Sequence, residues 1–231
     1  MKTIVIRTLG GRSIGYGHFY RCLSLAKALV LSSGKIEIIF IINEELINLI
    51  KDTNFKFIVS NEMKDDLSII NNIDVKLFIV DSYLGNNQYL EKIKEKVKLM
   101  LIDDNNDIYD STIPDVIYNG NIHATELGYV PSGGQIQLLG SKYLIMKEDY
   151  WDNLSDENTC ENLILVTTGG TDEYGITAEI INTLKTTDYK IGVVIGPGYR
   201  DDYIMTIEKN RTENVELIYK PHSLKKYIDS S

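Results

Sequence analysis

The sequence predicts an α/β fold organised as a doubly wound parallel sheet, on three observations. Short runs rich in Ile, Val, Leu and Phe recur along the chain, amphipathic helical patterns separate them, and polar, glycine-bearing segments follow several of them. Near-continuous apolar runs mark strands buried on both faces, and strands that alternate with helices pair in parallel.

In chain order, residues 3–6 form the first run, followed by a glycine-rich segment and a helical pattern in which Phe19, Cys22, Leu23 and Ala26 fall at i, i+3, i+4 and i+7. Further strands are expected at 36–42, 56–59, 77–80, 99–102 and 116–118, with a charged amphipathic helix over 88–97. A polar stretch at 152–160 reads as a linker, dividing an N-terminal domain at 1–151 from a second series at 161–231. That series predicts strands at 163–167, 191–195 and 215–219 and helices at 176–184 and 204–210. About 70 residues after the linker is short for a complete nucleotide-binding half, so the second domain reads as truncated.

Composition narrows the function. The chain has 231 residues, 43% of them hydrophobic, with a net charge of −9. With no Lys/Arg cluster, it lacks the footprint of a nucleic-acid binder. An anionic small molecule remains compatible, because a helix N-terminus supplies local positive potential whatever the net charge. The longest apolar run, 36–42, contains Glu37 and is far shorter than the roughly 20 residues that span a bilayer. Cys22 and Cys160 stand in no metal-ligand spacing. The expectation is a cytoplasmic protein without membrane or nucleic-acid partners, a monomer or weak homo-oligomer, with no metal and no cofactor.

The chemistry concentrates between the first strand and the first helix, in Gly10-Gly11-Arg12-Ser13-Ile14-Gly15-Tyr16-Gly17-His18-Phe19-Tyr20-Arg21. Ligands bind at the carboxyl ends of strands in open α/β sheets. His18 falls in the first turn of the helix, where the dipole disfavours an imidazolium and leaves a neutral ring able to accept a proton, as a general base must. Arg21, three residues on, shares its face and is placed to meet a phosphate or carboxylate. The plainer alternative is a tight turn, a helix-start histidine and a surface arginine. Two other strands end in Asp81-Ser82-Tyr83 and Asp103-Asp104. Asp81 or Asp103 either orients His18, holds a sugar hydroxyl or caps a helix, and Tyr83 is placed to line a sugar pocket. In the second domain, Thr168-Gly169-Gly170-Thr171-Asp172 and Gly196-Pro197-Gly198 follow strands and read as an anion cradle for a diphosphate. His123 and His222 read as surface residues.

These residues together resemble a known family. The run Ile14-Gly15-Tyr16-Gly17-His18-Phe19-Tyr20-Arg21-Cys22-Leu23-Ser24-Leu25-Ala26 is similar to the signature of the UDP-sugar hydrolases of pseudaminic acid synthesis and the related spore-coat polysaccharide proteins. Asp81-Ser82-Tyr83, Ile102-Asp103-Asp104, Leu139-Gly140-Ser141-Lys142-Tyr143 and Gly169-Gly170-Thr171-Asp172 agree with further family elements in order and spacing. The resemblance implies two Rossmann-like domains as in B-type glycosyltransferases, with the active site between them. It implies release of UDP from a UDP-linked 2,4-diacetamido-2,4,6-trideoxy hexose by water attack at the anomeric carbon, with inversion and without metal. His18 would act on the water. Gly15, Tyr16, Gly17, Arg21, Asp81, Tyr83, Asp103 and Asn119 would contact the sugar; Gly169, Gly170, Thr171, Asp172 and Gly196 would contact the nucleotide.

Three departures from the family pattern stand out. The family's Asp near the first glycines is replaced by Leu9 and Gly10, a family Arg by Lys147, and the chain stops at Ser231 before a Ser/Gly-rich segment and a nucleotide-binding Glu. A B-type glycosyltransferase, in which an acceptor hydroxyl replaces water, and a non-catalytic sugar-nucleotide binder are the alternatives. An HxGH nucleotidyltransferase would need a histidine where Gly15 stands.

Overall fold

The computed structural model describes residues 2–11, 13–151, 162–221 and 223–231. The expected linker at 152–160, Cys160 and His222 lie outside the described residues. The chain divides into two units, Met1–Glu148 and Asp149–Ser231.

The first unit runs β1 (Lys2–Thr8), α1 (Gly17–Ser32), β2 (Ile36–Ile42), α2 (Ile47–Lys51), β3 (Lys56–Val59), α3 (Asp66–Ile70), β4 (Val75–Asp81), α4 (Asn87–Lys94), β5 (Leu99–Ile102), β6 (Val116–Asn119) and β7 (Ile136–Leu139). The strands form one sheet in the order β3-β2-β1-β4-β5-β6-β7, and every neighbouring pair is parallel. Alternate residues of each central strand feed opposite faces. Ile4 and Ile6 pack with Phe19, Cys22 and Ala26 of α1, while Val5 packs with Phe78, Leu90 and Ile93 on the other side. Burial on both faces is why these strands read as unbroken apolar runs. The strand order reverses between β1 and β4, so the loops leaving these two strands diverge and open a crevice at their carboxyl ends.

The second unit contains β8 (Leu163–Val166), α5 (Ile176–Leu184), β9 (Lys190–Ile195), α6 (Asp201–Lys209), β10 (Val215–Tyr219) and α7 (Lys225–Ile228). Its three parallel strands lie in the order β10-β9-β8. Ile191, Val193 and Ile195 of β9 meet Ile181 of α5 and Ile207 of α6 in a separate core.

The structure adds elements the periodicity does not reveal. β7 is only partly buried and α2 and α3 are five residues each, too short to display a helical repeat. The helix expected at 88–97 ends at Lys94, and the one expected at 204–210 begins earlier, at Asp201. Among the described residues no helix is long and apolar enough to cross a membrane.

Candidate active site

The loop from β1 to α1 is a small closed structure. Gly11 and Gly15 bond each other reciprocally, N to O, at 3.0 and 2.7 Å. Gly15 turns the chain back at φ +83, a region other residues rarely adopt. Asn43 staples the loop's base, donating Nδ2 to Gly10 O at 2.7 Å and accepting from Gly10 N at 3.1 Å. Leu9 is buried, and a side chain at Gly10 would meet Leu46 Cδ2 at 2.8 Å, so this part of the loop is packing rather than an acidic substrate contact. Gly15, Tyr16 and Gly17 are exposed above it. The first turn of α1 carries no acid, and Tyr16 supplies no side-chain cap.

From that turn His18 reaches the end of β4, where its Nδ1 lies 2.6 Å from Asp81 Oδ1. Asp81 is fully buried, and its oxygens also accept from Arg21, Oδ2 from Nε at 3.0 Å and Oδ1 from Nη2 at 2.7 Å. A carboxylate only accepts, so the His18 nitrogen facing it carries the hydrogen, and in the neutral ring Nε2 is the proton acceptor. The Cys22 thiol lies 3.4 Å from Asp81 Oδ2, and its burial pushes its own ionisation well up, leaving an inert packing group.

Arg21 turns its remaining donors to Asp104, with Nη1 to Oδ1 at 2.6 Å and Nη2 to Oδ2 at 3.0 Å. Tyr83 donates its hydroxyl to Asp104 Oδ2 and sets its ring edge against His18, centroids 4.6 Å apart. Burial opposes the charge on Arg21, but hydrogen bonds to the two carboxylates outweigh it and hold the guanidinium protonated. Burial likewise opposes the Asp104 charge and is outweighed by Arg21 and Tyr83, which keep its carboxyl below the usual range. Burial and then the Asp104 hydrogen bond push the Tyr83 hydroxyl up, so it stays a donor.

Two expected sugar contacts are engaged within the protein. Asp103 is buried, accepts from the Asn106 amide at 3.1 Å and the Tyr129 hydroxyl at 2.9 Å, and so fixes the turn after β5. Asn119 is also buried and braces the same loop, donating to Asp104 O and Tyr129 Oη and accepting from Asn121 N. Asp104, its neighbour, is the acid that enters the site. The residues alone do not separate the two: Asp103 and Asp104 stand three and two residues ahead of Asn106, and either spacing lets a carboxylate close the turn, which sits at φ +56 on Asn106. His123 is exposed and joins no part of this network.

The second unit's glycine loop is built differently. Asp172 accepts from the amides of Ile176 at 3.0 Å and Thr177 at 2.9 Å, and from the Tyr203 hydroxyl at 2.8 Å. The Ala178 amide donates to that same hydroxyl at 3.0 Å. The first amides of α5 are therefore taken by an internal cap, in which the Asp172 side chain is engaged. Gly169, Gly170 and Thr171 remain exposed. Gly196 is required by close approach, since a side chain there would meet Gly170 O at 2.5 Å.

Comparison with known proteins agrees with this architecture. No protein-family model matches the chain. It is 29% identical over 232 residues to an uncharacterised protein of Methanocaldococcus jannaschii, an alignment covering 94% of this chain and 48% of that protein, so the chain spans about half the length of this relative. Among solved structures it is similar to a glycosyltransferase from Rickettsia africae, with TM-score 0.62 and 12% identity over 100% of this chain and 71% of that one. It is similar as well to UDP-GlcNAc 2-epimerase from Neisseria meningitidis bound to UDP-GlcNAc, with TM-score 0.52 and 9% identity over 99% and 74% of the two chains. The fold is α/β, with two Rossmann-like domains of the kind found in B-type glycosyltransferases.

Proposed function

We propose that the protein processes a UDP-linked sugar and that His18 is its general base. The observation that carries this reading is the His18 Nδ1 to Asp81 contact of 2.6 Å at the β1/β4 switch point, which leaves Nε2 as the acceptor at the open end of the sheet. The fold likeness to an epimerase bound to UDP-GlcNAc supports a sugar nucleotide as the ligand class.

The finer proposal is hydrolysis of a UDP-linked 2,4-diacetamido-2,4,6-trideoxy hexose. Nε2 takes a proton from water as its oxygen bonds to the anomeric carbon. The bond from that carbon to the diphosphate oxygen breaks, and UDP leaves with the electron pair. Arg21 balances only one of the two carboxylates, so the cluster carries one net negative charge, which a proton arriving on His18 neutralises. Positioned proton transfer of this kind contributes about 10²- to 10⁴-fold in rate.

The likeness to a glycosyltransferase favours transfer as a second reading. Beyond Tyr83, Leu84, Gly85 and Asn86 line a cavity of about 480 Å³ with Leu9, Asn61 and Lys64, large enough for an acceptor sugar. The test is to incubate the protein with UDP-GlcNAc and with UDP-linked diacetamido sugars and to measure UDP and free sugar. Equal amounts of both without acceptor support hydrolysis; UDP only when an acceptor is added supports transfer; UDP release that is unchanged in His18→Ala contradicts both.

A further inference from the structure

Arg21 looks from sequence like an anion receptor, one helical turn beyond the base. Its surroundings assign it another task. A guanidinium has five N–H groups, and here four hydrogen bonds run to two carboxylates, Nε and Nη2 to Asp81, Nη1 and Nη2 to Asp104, at 2.6 to 3.0 Å. Nη2 also lies 3.3 Å from His18 Nδ1, and since both are donors there, Asp81 Oδ1 serves the two together. Asp104 in turn receives Tyr83, whose ring edge returns to His18. The groups form a closed circuit: His18, Asp81, Arg21, Asp104, Tyr83 and back to His18.

We infer that Arg21 and Asp104 are positioning residues, which act through Asp81 and Tyr83 to hold the His18 ring in one orientation with its hydrogen on Nδ1. The inference rests on His18 being the base. Turning Arg21 toward a substrate diphosphate would leave Asp81, fully buried, and Asp104 without the cation that, among the described residues, pairs with both, an arrangement whose desolvated charge is costly. The substrate's negative charge is met elsewhere. A lysine at position 21 keeps the charge but reaches only one carboxylate at a time, because the ammonium lacks the planar fork.

Two readouts test this. In steady-state kinetics Arg21→Lys and Asp104→Asn lower kcat by about 10- to 100-fold, as misplacement of a catalytic group does, shift the pH profile and leave KM within about twofold. Independently of activity, a long-range ¹H–¹⁵N spectrum of the imidazoles, assigned with His18→Gln, shows the Nδ1–H tautomer of His18 in the wild type and a mixture in both variants. A tenfold rise in KM at unchanged kcat, or an unaltered tautomer in both folded variants, overturns the inference and makes Arg21 a substrate ligand or a bystander. If Arg21→Lys does not fold, the nearly isosteric Asp104→Asn decides alone. Loss of the tautomer without turnover of any UDP-sugar by the wild type would uphold the positioning role and fail the proposed function instead.

Discussion

The two strand-to-helix glycine turns of this chain look alike in sequence and do opposite things. After β1, the loop closes on itself through Gly11 and Gly15, the first turn of α1 has neither acid nor side-chain cap, and His18 projects from it onto a buried carboxylate. After β8, the loop carries its own acid, and Asp172 with the Tyr203 hydroxyl takes up the amides of the first turn of α5. A glycine-bearing turn before a helix thus says where a ligand site is geometrically allowed. Whether the helix end is open is decided by the side chains around it. On the proposed reading the polar network of the first unit serves a reactive group, whereas that of the second completes the turn.

Substitutions at the two turns should separate these roles. The largest effect is expected for His18→Ala, which lowers turnover of a UDP-sugar by about 10²-fold or more in a variant that still folds, with a stability cost of about 1–3 kcal/mol from the lost hydrogen bond to buried Asp81. A comparable loss from Asp172→Ala would erase the contrast.

The strand that leads into the first turn carries a pH-sensitive pair. Arg7 Nε lies 3.0 Å from Asp66 Oδ2, both side chains fully buried. Burial, only partly offset by Arg7 and Tyr89, pushes the Asp66 carboxyl up to about 6 from 3.8. A raised carboxyl means the folded state binds the proton more tightly than the unfolded one. Its stabilising contribution is therefore full below pH 3.8 and lost as pH rises through about 6, a change on the order of 3 kcal/mol. Comparing denaturant midpoints at pH 4 and 7 in wild type and Asp66→Asn isolates this slope, which the variant should lack. Asp104 and Asp172, whose carboxyls are held low, contribute the opposite slope below pH 3.8.

At the second turn, Gly196→Ala forces a methyl against Gly170 O and should cost about 1–3 kcal/mol in chemical denaturation. Asp172→Ala should cost about 1 kcal/mol through loss of the cap, together with a new low-pH insensitivity of that increment. A cost near zero for both would mean the turn is not held as described.

Much of this was legible in the residues. The central strands announce themselves because both faces are buried, and the segment from Gly10 to Arg21 marks the crevice because it leaves the strand at which the order reverses. Directions of individual side chains were not legible. Asp103 and Asp104 are adjacent and chemically the same, and only the turn around Asn106 separates the one that braces the loop from the one that meets Arg21. The family resemblance assigns Asn119 to the sugar, yet Asp104 O, Tyr129 and Asn121 occupy it. β7 escaped notice because residues 136–139 are half-exposed at the sheet edge and show too little apolar character.

The most direct test of the central claim is the turnover of Asp81→Asn. An asparagine preserves the volume but offers His18 a donor as readily as an acceptor, so the tautomer with Nε2 free is no longer enforced. With UDP release as the readout and folding checked by circular dichroism, the expected result is a fall in kcat of about 10²- to 10⁴-fold at near-constant KM. Activity within about twofold of wild type would contradict the account, because His18 would then not depend on the carboxylate that the fold places against it.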